Sequence, residues 1–272
     1  MNRLDLTFPN TKNSVIHIPK IIMQTWKTHE LPDHWKPSPL SIKKYMPNWR
    51  YLLLDDNEIR SIVEKNFPDF LPYFDKFPWG VQRADAIRPI FLYLYGGLYL
   101  DLDFELQAPL DQLFTEDAGL YLVKSGNLGS WVTNSLMASK QGHPFWLYYI
   151  EQMKMAPPWW AVSKHFQIMT STGPMKLTWC LQQYKANYFP LPRALVMPCS
   201  VCNISRCQIY NALLKPLPGQ SWNSLDSQIL NFLLCHWKQL LFFLFLFLVV
   251  IFIIYLYFKA SRARQPSRIF IV

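Results

Sequence analysis

Apolar positions cluster in short runs between turn signals over most of the chain, and their spacing predicts a mixed α/β domain followed by one membrane-length segment. Ile16, Ile18, Ile21 and Ile22 read as a first buried strand, interrupted by Pro19 and opening onto Gln24, Thr25 and Trp26. Pro32, Pro37 and Pro39 make a loop, after which Ser41 is expected to cap a short helix through Tyr45. Trp49 to Leu54 reads as a second strand. Asp55 and Asp56 follow it and suit the start of a helix over Glu58 to Asn66, where a carboxylate satisfies free backbone N–H groups. Pro68, Pro72 and Pro78 break the next stretch into short helices and turns that feed a helix carrying Asp85 and Arg88. From Ile90 to Gln107 the run IFLYLYGGLYLDLDFELQ reads as a strand ending in acids. Gly119 to Lys124 is a further strand, Phe145 to Met155 an amphipathic helix, and Pro174 opens a helix through Tyr184. Asn134 reads from its neighbours alone as a turn or cap residue, with a role in a binding site left equally open.

Leu240 to Phe258 is apolar without a break, and 19 residues at 1.5 Å each span a hydrocarbon core about 30 Å thick. Trp237, Tyr255 and Tyr257 near its ends suit the membrane interface. The expected organisation is therefore a polar segment 1–14, a mixed α/β domain 15–235, a transmembrane helix 240–258 and a basic tail 259–272. The first 14 residues hold no apolar segment, so neither a signal peptide nor an amino-terminal anchor is expected there. Orientation is in conflict: Lys259, Arg262, Arg264 and Arg268 favour a cytosolic tail, whereas insertion from the carboxyl end would leave the domain cytosolic.

Composition narrows the partners. A net charge of +9 permits nucleic-acid binding, but the basic residues are scattered and form no run interleaved with aromatics. Phosphates of nucleotides or lipids are the better match, and 11 Trp suit sugar faces and membrane interfaces. Cys199, Cys202 and Cys207 cluster without a fourth ligand at zinc-like spacing, so a loop disulfide and reduced thiols both remain open. Asn203-Ile204-Ser205 is a sequon, relevant to a lumenal domain.

The candidate chemistry sits at Asp101 and Asp103. Two carboxylates two positions apart leave an extended segment on one face, where oxygen ligands suit Mg²⁺ or Mn²⁺. Gly96 and Gly97 before them permit positive φ or a close approach of backbone to ligand. Asp85 and Arg88, three apart on a helix, share a face and pair a carboxylate with a guanidinium.

Taken together, IPKIIMQTW, RADAIRPIFLYLYGGLYLDLDF, NSLMASKQGHPFW, STGP and GQSWNSLD resemble the D-x-D sugar-transferase family that contains fungal α-mannosyltransferases and inositol-phosphoceramide mannosyltransferases, over roughly residues 15 to 230. The resemblance implies a glycosyltransferase-A fold with a Rossmann-like mixed sheet, a nucleotide-sugar donor with GDP-mannose favoured, a divalent metal and retention of configuration. It implies metal ligation by Asp101 and Asp103, and donor contacts from Trp26, Asp85, Arg88, Gly97, Asn134, Ser221 and Trp222. Asn223 stands where the family commonly has His. The acceptor it suggests is inositol phosphoceramide or a related glycolipid, in the Golgi or another endomembrane, with protein-linked glycan second; a non-catalytic sugar-binding adaptor is the rival class.

Overall fold

The structure is a computed structural model that describes residues 18–114, 118–125, 131–200, 202, 207, 209–219 and 224–263. Its chain divides into a compact unit ending at Ser224 and a long helix that starts at Leu225. That boundary precedes the expected one at 235.

In the compact unit six strands form one sheet in the order β2-β1-β3-β6-β5-β7, with β1 (Ile21–Thr25), β2 (Arg50–Leu54), β3 (Gly97–Leu100), β5 (Leu120–Lys124), β6 (Val132–Ser139) and β7 (Phe189–Leu191). β1 runs parallel to both β2 and β3, while β6 is antiparallel to β3 and β5. A second, two-stranded sheet pairs β4 (Phe104–Leu106) with β8 (Leu214–Pro216).

The short apolar runs become strands because both faces of the main sheet are covered. Tyr99, Leu120 and Leu122 join one core with Ile87, Phe91 and Trp146, whereas Leu98, Leu100, Tyr121 and Val123 join the other with Ile42 and Phe114. Alternate residues serve opposite cores, as the pleat requires. Each wholly buried Leu there contributes about 1.5–3 kcal/mol.

The first core is roofed by α2 (Asp56–Asn66), α4 (Gly80–Tyr95), α5 (Pro144–Gln152) and α7 (Pro174–Tyr184). Here the expected strand over Ile90 to Gln107 is corrected. Its first six residues are the end of α4, which stops at Gly96 with φ 66°, and only Gly97–Leu100 is β3. An apolar run buried on all sides carries no periodicity that separates helix from strand, so the glycine pair alone marked the switch. Ser41 is likewise not a cap: α1 (Pro37–Tyr45) begins at Pro37, and Ser41 Oγ donates to Ser38 O and accepts from Leu106 N. Asn134 lies inside β6 rather than in a turn.

Cys199 and Cys207 form a disulfide, and Cys180 is a buried free thiol. The helix α9 (Leu225–Ala263) is described by itself: its first 15 residues interleave polar side chains, and from Leu240 its side chains are apolar through Phe258 and, half-buried Val249 aside, exposed. It is long and apolar enough to cross a membrane.

Candidate active site

Because β1, β2 and β3 are parallel, the residues that leave their carboxyl ends emerge along one edge of the sheet, where open α/β folds gather their ligands. Trp26 follows β1, Asp55 and Asp56 follow β2, and Asp101 and Asp103 follow β3. All of these but Asp55 border a cavity of about 360 Å³. Its wall also includes the indoles of Trp35 and Trp79, the cations Lys27, Arg88 and Lys164, and Gly219. Trp35 meets Trp26 edge-on at 4.7 Å, and its Nε1 donates to Pro218 O.

The D-x-D backbone is held from three distant places. Asp101 N donates to Ser135 O at 2.8 Å, Gln24 Nε2 donates to Asp101 O at 3.2 Å, and Leu217 N donates to Asp103 O at 2.7 Å. Gln24 is itself wholly buried, donating to Ser38 Oγ and accepting from Tyr51 OH. These bonds fix the loop before any ligand arrives.

The side chains form a buried charge network. Arg88 Nη2 stands 3.1 Å from both Asp85 Oδ1 and Asp101 Oδ1, while Nη1 donates to Asn134 O at 2.8 Å. Its guanidinium lies 4.5 Å over the Tyr99 ring, and Tyr99 OH donates to Asp101 Oδ1. Asp85 accepts from Asn134 Nδ2 at 3.0 Å and from Thr172 Oγ1 at 3.2 Å. Burial pushes Asp85 up to about 6 even with Arg88 opposing it. Burial alone would lower Arg88, but Asp101, Tyr99 and Asp85 outweigh it and keep the guanidinium charged.

Asp103 differs from every other acid among the described residues. Its Oδ1 is buried and has no hydrogen-bond partner among the described residues. Burial, and then the charge of Asp101, push Asp103 up to about 7. An unpartnered carboxylate oxygen is costly unless a cation meets it. Both Tyr99 and Arg88 engage Oδ1 of Asp101, which leaves Oδ2 for a further ligand. The pair therefore fits a hard divalent cation, which takes oxygen ligands.

The expected site residues separate by position. Trp26, Arg88, Asp101 and Asp103 border the cavity; Asp85 and Asn134 are buried behind Arg88 and hold it. Gly97 serves packing rather than a ligand: with φ 90°, a Cβ there would stand 2.5 Å from Ile21 O, so glycine lets β3 lie against β1. Ser221 and Trp222 lie outside the described residues, as does Asn203. Sequence reasoning did not single out Gln24, Tyr99 or Thr172; a lone Gln in the apolar run IIMQTW was the one available signal for the first.

Residues 32–120 match the family described as the glycosyltransferase sugar-binding region containing a DXD motif. The matched region carries the signature of this D-x-D glycosyltransferase family. Within it, the inositol phosphoceramide mannosyltransferase 2 of Schizosaccharomyces pombe is 40% identical over 169 residues, 62% of this chain and 47% of that protein. The inositol phosphoceramide mannosyltransferase 3 of the same organism is 32% identical over 230 residues, 83% of this chain and 61% of that protein. The chain thus spans about half to three-fifths of the length of these relatives. The ligand-free glycosyltransferase domain from the YGT toxin shares the fold at TM-score 0.51 and 7% identity, over 64% of this chain and 80% of that chain. The mixed sheet is accordingly a glycosyltransferase fold, with the family's D-x-D at Asp101 and Asp103.

Proposed function

We propose that this chain is a membrane-anchored, metal-dependent, retaining glycosyltransferase that moves mannose from GDP-mannose onto inositol phosphoceramide or a related glycolipid. One observation carries the reading: Trp79 Nε1, Arg88 Nε and Asp103 Oδ1 are buried without partners among the described residues, and all three residues line one cavity. Two unspent N–H donors and one unspent carboxylate oxygen match an anionic diphosphate accompanied by a cation.

Asp101 and Asp103 would hold Mn²⁺ or Mg²⁺, which supplies positive charge to the donor diphosphate when bound. Arg88, fixed by Asp85 and Asn134, and Trp79 line the cavity and would offer N–H groups where negative charge grows as the sugar–phosphate bond breaks. Trp26 offers a ring face to the donor base, and Ser221 and Trp222 cover the leaving group. Retention proceeds by front-face attack of the acceptor hydroxyl, so no residue is assigned as nucleophile. The names of the two relatives support mannose and inositol phosphoceramide. The apolar helix α9 supports an anchor, and the Cys199–Cys207 disulfide supports an oxidising compartment for the compact unit. A lumenal domain then leaves the basic tail in the cytosol, in agreement with the positive-inside tendency, in the Golgi or another endomembrane.

Release of nucleotide from a panel of GDP- and UDP-sugars tests this in detergent-solubilised protein with a lipid acceptor. Turnover of GDP-mannose with Mn²⁺, lost with chelator, is expected. No turnover of any donor by folded protein would overturn the enzyme in favour of a sugar-binding adaptor.

A further inference from the structure

The connection between α5 and α6 (Lys164–Ser171), MKMAPPWWAVS, exposes apolar side chains where a soluble surface would hide them. Trp159 is 91% exposed and Val162 81%, and Met155 and Trp160 beside them are exposed as well. Pro157 and Pro158 stiffen the segment, and Ala161 N to Pro158 O and Val162 N to Trp160 O close it into tight turns. Trp160 rests edge-on against Phe166 at 5.7 Å, which leaves Trp159 as the projecting tip. Little backbone freedom remains to be lost on docking.

The charge around this tip is one-sided. Residues 152–225 contain no Asp or Glu and seven Lys or Arg, seven of the chain's nine net positive charges. An indole tip inside an acid-free stretch, with Lys164 beside it and Lys154 already paired to Glu151 at 2.7 Å, matches a bilayer whose head groups carry phosphate, as the proposed acceptor's does, better than it matches a protein partner, which would present mixed charge. The loop also leads straight into the cavity. Lys164, its next residue but one after Val162, lines the cavity and holds its ammonium 5.1 Å from the Trp79 ring.

We propose that Met155–Val162 is an interfacial loop that inserts Trp159 into the head-group layer of an anionic bilayer and so brings the cavity mouth to the surface from which a lipid acceptor arrives. The inference rests on the anchored glycosyltransferase reading, since a domain tethered beside a bilayer meets that surface at high effective concentration.

The test reconstitutes the full chain in vesicles containing phosphatidylserine, with an environment-sensitive fluorophore on Trp159→Cys, read against the parent chain and against the same label on Lys65→Cys, an exposed position of α2. The label at 159 is expected to shift its emission to shorter wavelength and to be quenched by brominated lipid, while that at 65 does neither. Equal, water-like emission at both positions would overturn the proposal. A shift without bromolipid quenching would also overturn it, and would point to a second copy or another protein. Carbonate extraction separates the two readings. A resistant chain with an unquenched label sinks the loop alone; an extracted chain whose label is still quenched by added vesicles sinks the anchor alone.

Discussion

Two acidic pairs follow neighbouring parallel strands, Asp55 and Asp56 after β2, Asp101 and Asp103 after β3, and they meet opposite fates. Asp55 Oδ1 accepts from Asn57 N and Glu58 N at 2.9 Å, and Glu58 Oε2 accepts in return from Asp55 N. His29 Nε2 adds a contact at 3.2 Å to Glu58 and 3.6 Å to Asp55. Asp55 is thus absorbed by its own helix start, as a capping box, while Asp56 stays exposed at the cavity rim. After β3 the chain enters a turn and then β4, which offers no free helical N–H groups, and Asp103 is left with a buried, unanswered oxygen. Acids at a strand end become a ligand site only where the local backbone does not take up their lone pairs.

That contrast can be broken from either side. Asp103→Asn should cost on the order of 10³-fold in Mn²⁺-dependent turnover, the several kcal/mol a bound cation supplies. The same variant should melt no lower than the parent without metal, because it removes an unpaired buried charge; a fall in Tm of many degrees would show that Asp103 is structural. Arg88→Met leaves Asp85 and Asp101 facing each other, and should destabilise the fold by about 3–5 kcal/mol in denaturant titration. An unchanged midpoint would mean that the network relaxes through water. Asp55→Ala removes only the cap, about 1 kcal/mol of stability with turnover within twofold. A loss of turnover as large as that of Asp103→Asn would erase the distinction between the two pairs. His29→Ala, on an exposed contact, should change stability by less than about 0.5 kcal/mol.

The cap and the D-x-D were legible in sequence for the same reason: both depend on residues within a few positions of one another. What was hidden depends on partners far along the chain. Thr172 reaches Asp85 across 87 positions, and Leu217 reaches the Asp103 carbonyl from the other end of the unit. The strand ends were legible because Trp26, Asp55 and Asp101 each close an apolar run, whereas the helix-to-strand change at Gly96 was not, since the end of α4, from Ile90 to Tyr95, and β3 form one run without a charged residue. The sequence marks Gly97 as a special backbone position, but only the neighbouring β1 reveals that Ile21 fills the space where a Cβ would stand.

The three-point tether of the D-x-D loop, through Gln24, Ser135 and Leu217, has a thermodynamic consequence. The ordering cost of this segment is met once, during folding, so a cation would find its ligands already in register. Affinity for the ion would then be set by charge and desolvation, with little entropy of loop closure. In hydrogen–deuterium exchange the Asp101 amide should be as slow in chelator as in Mn²⁺, and a large gain of protection on adding the ion would instead reveal a loop that freezes around it.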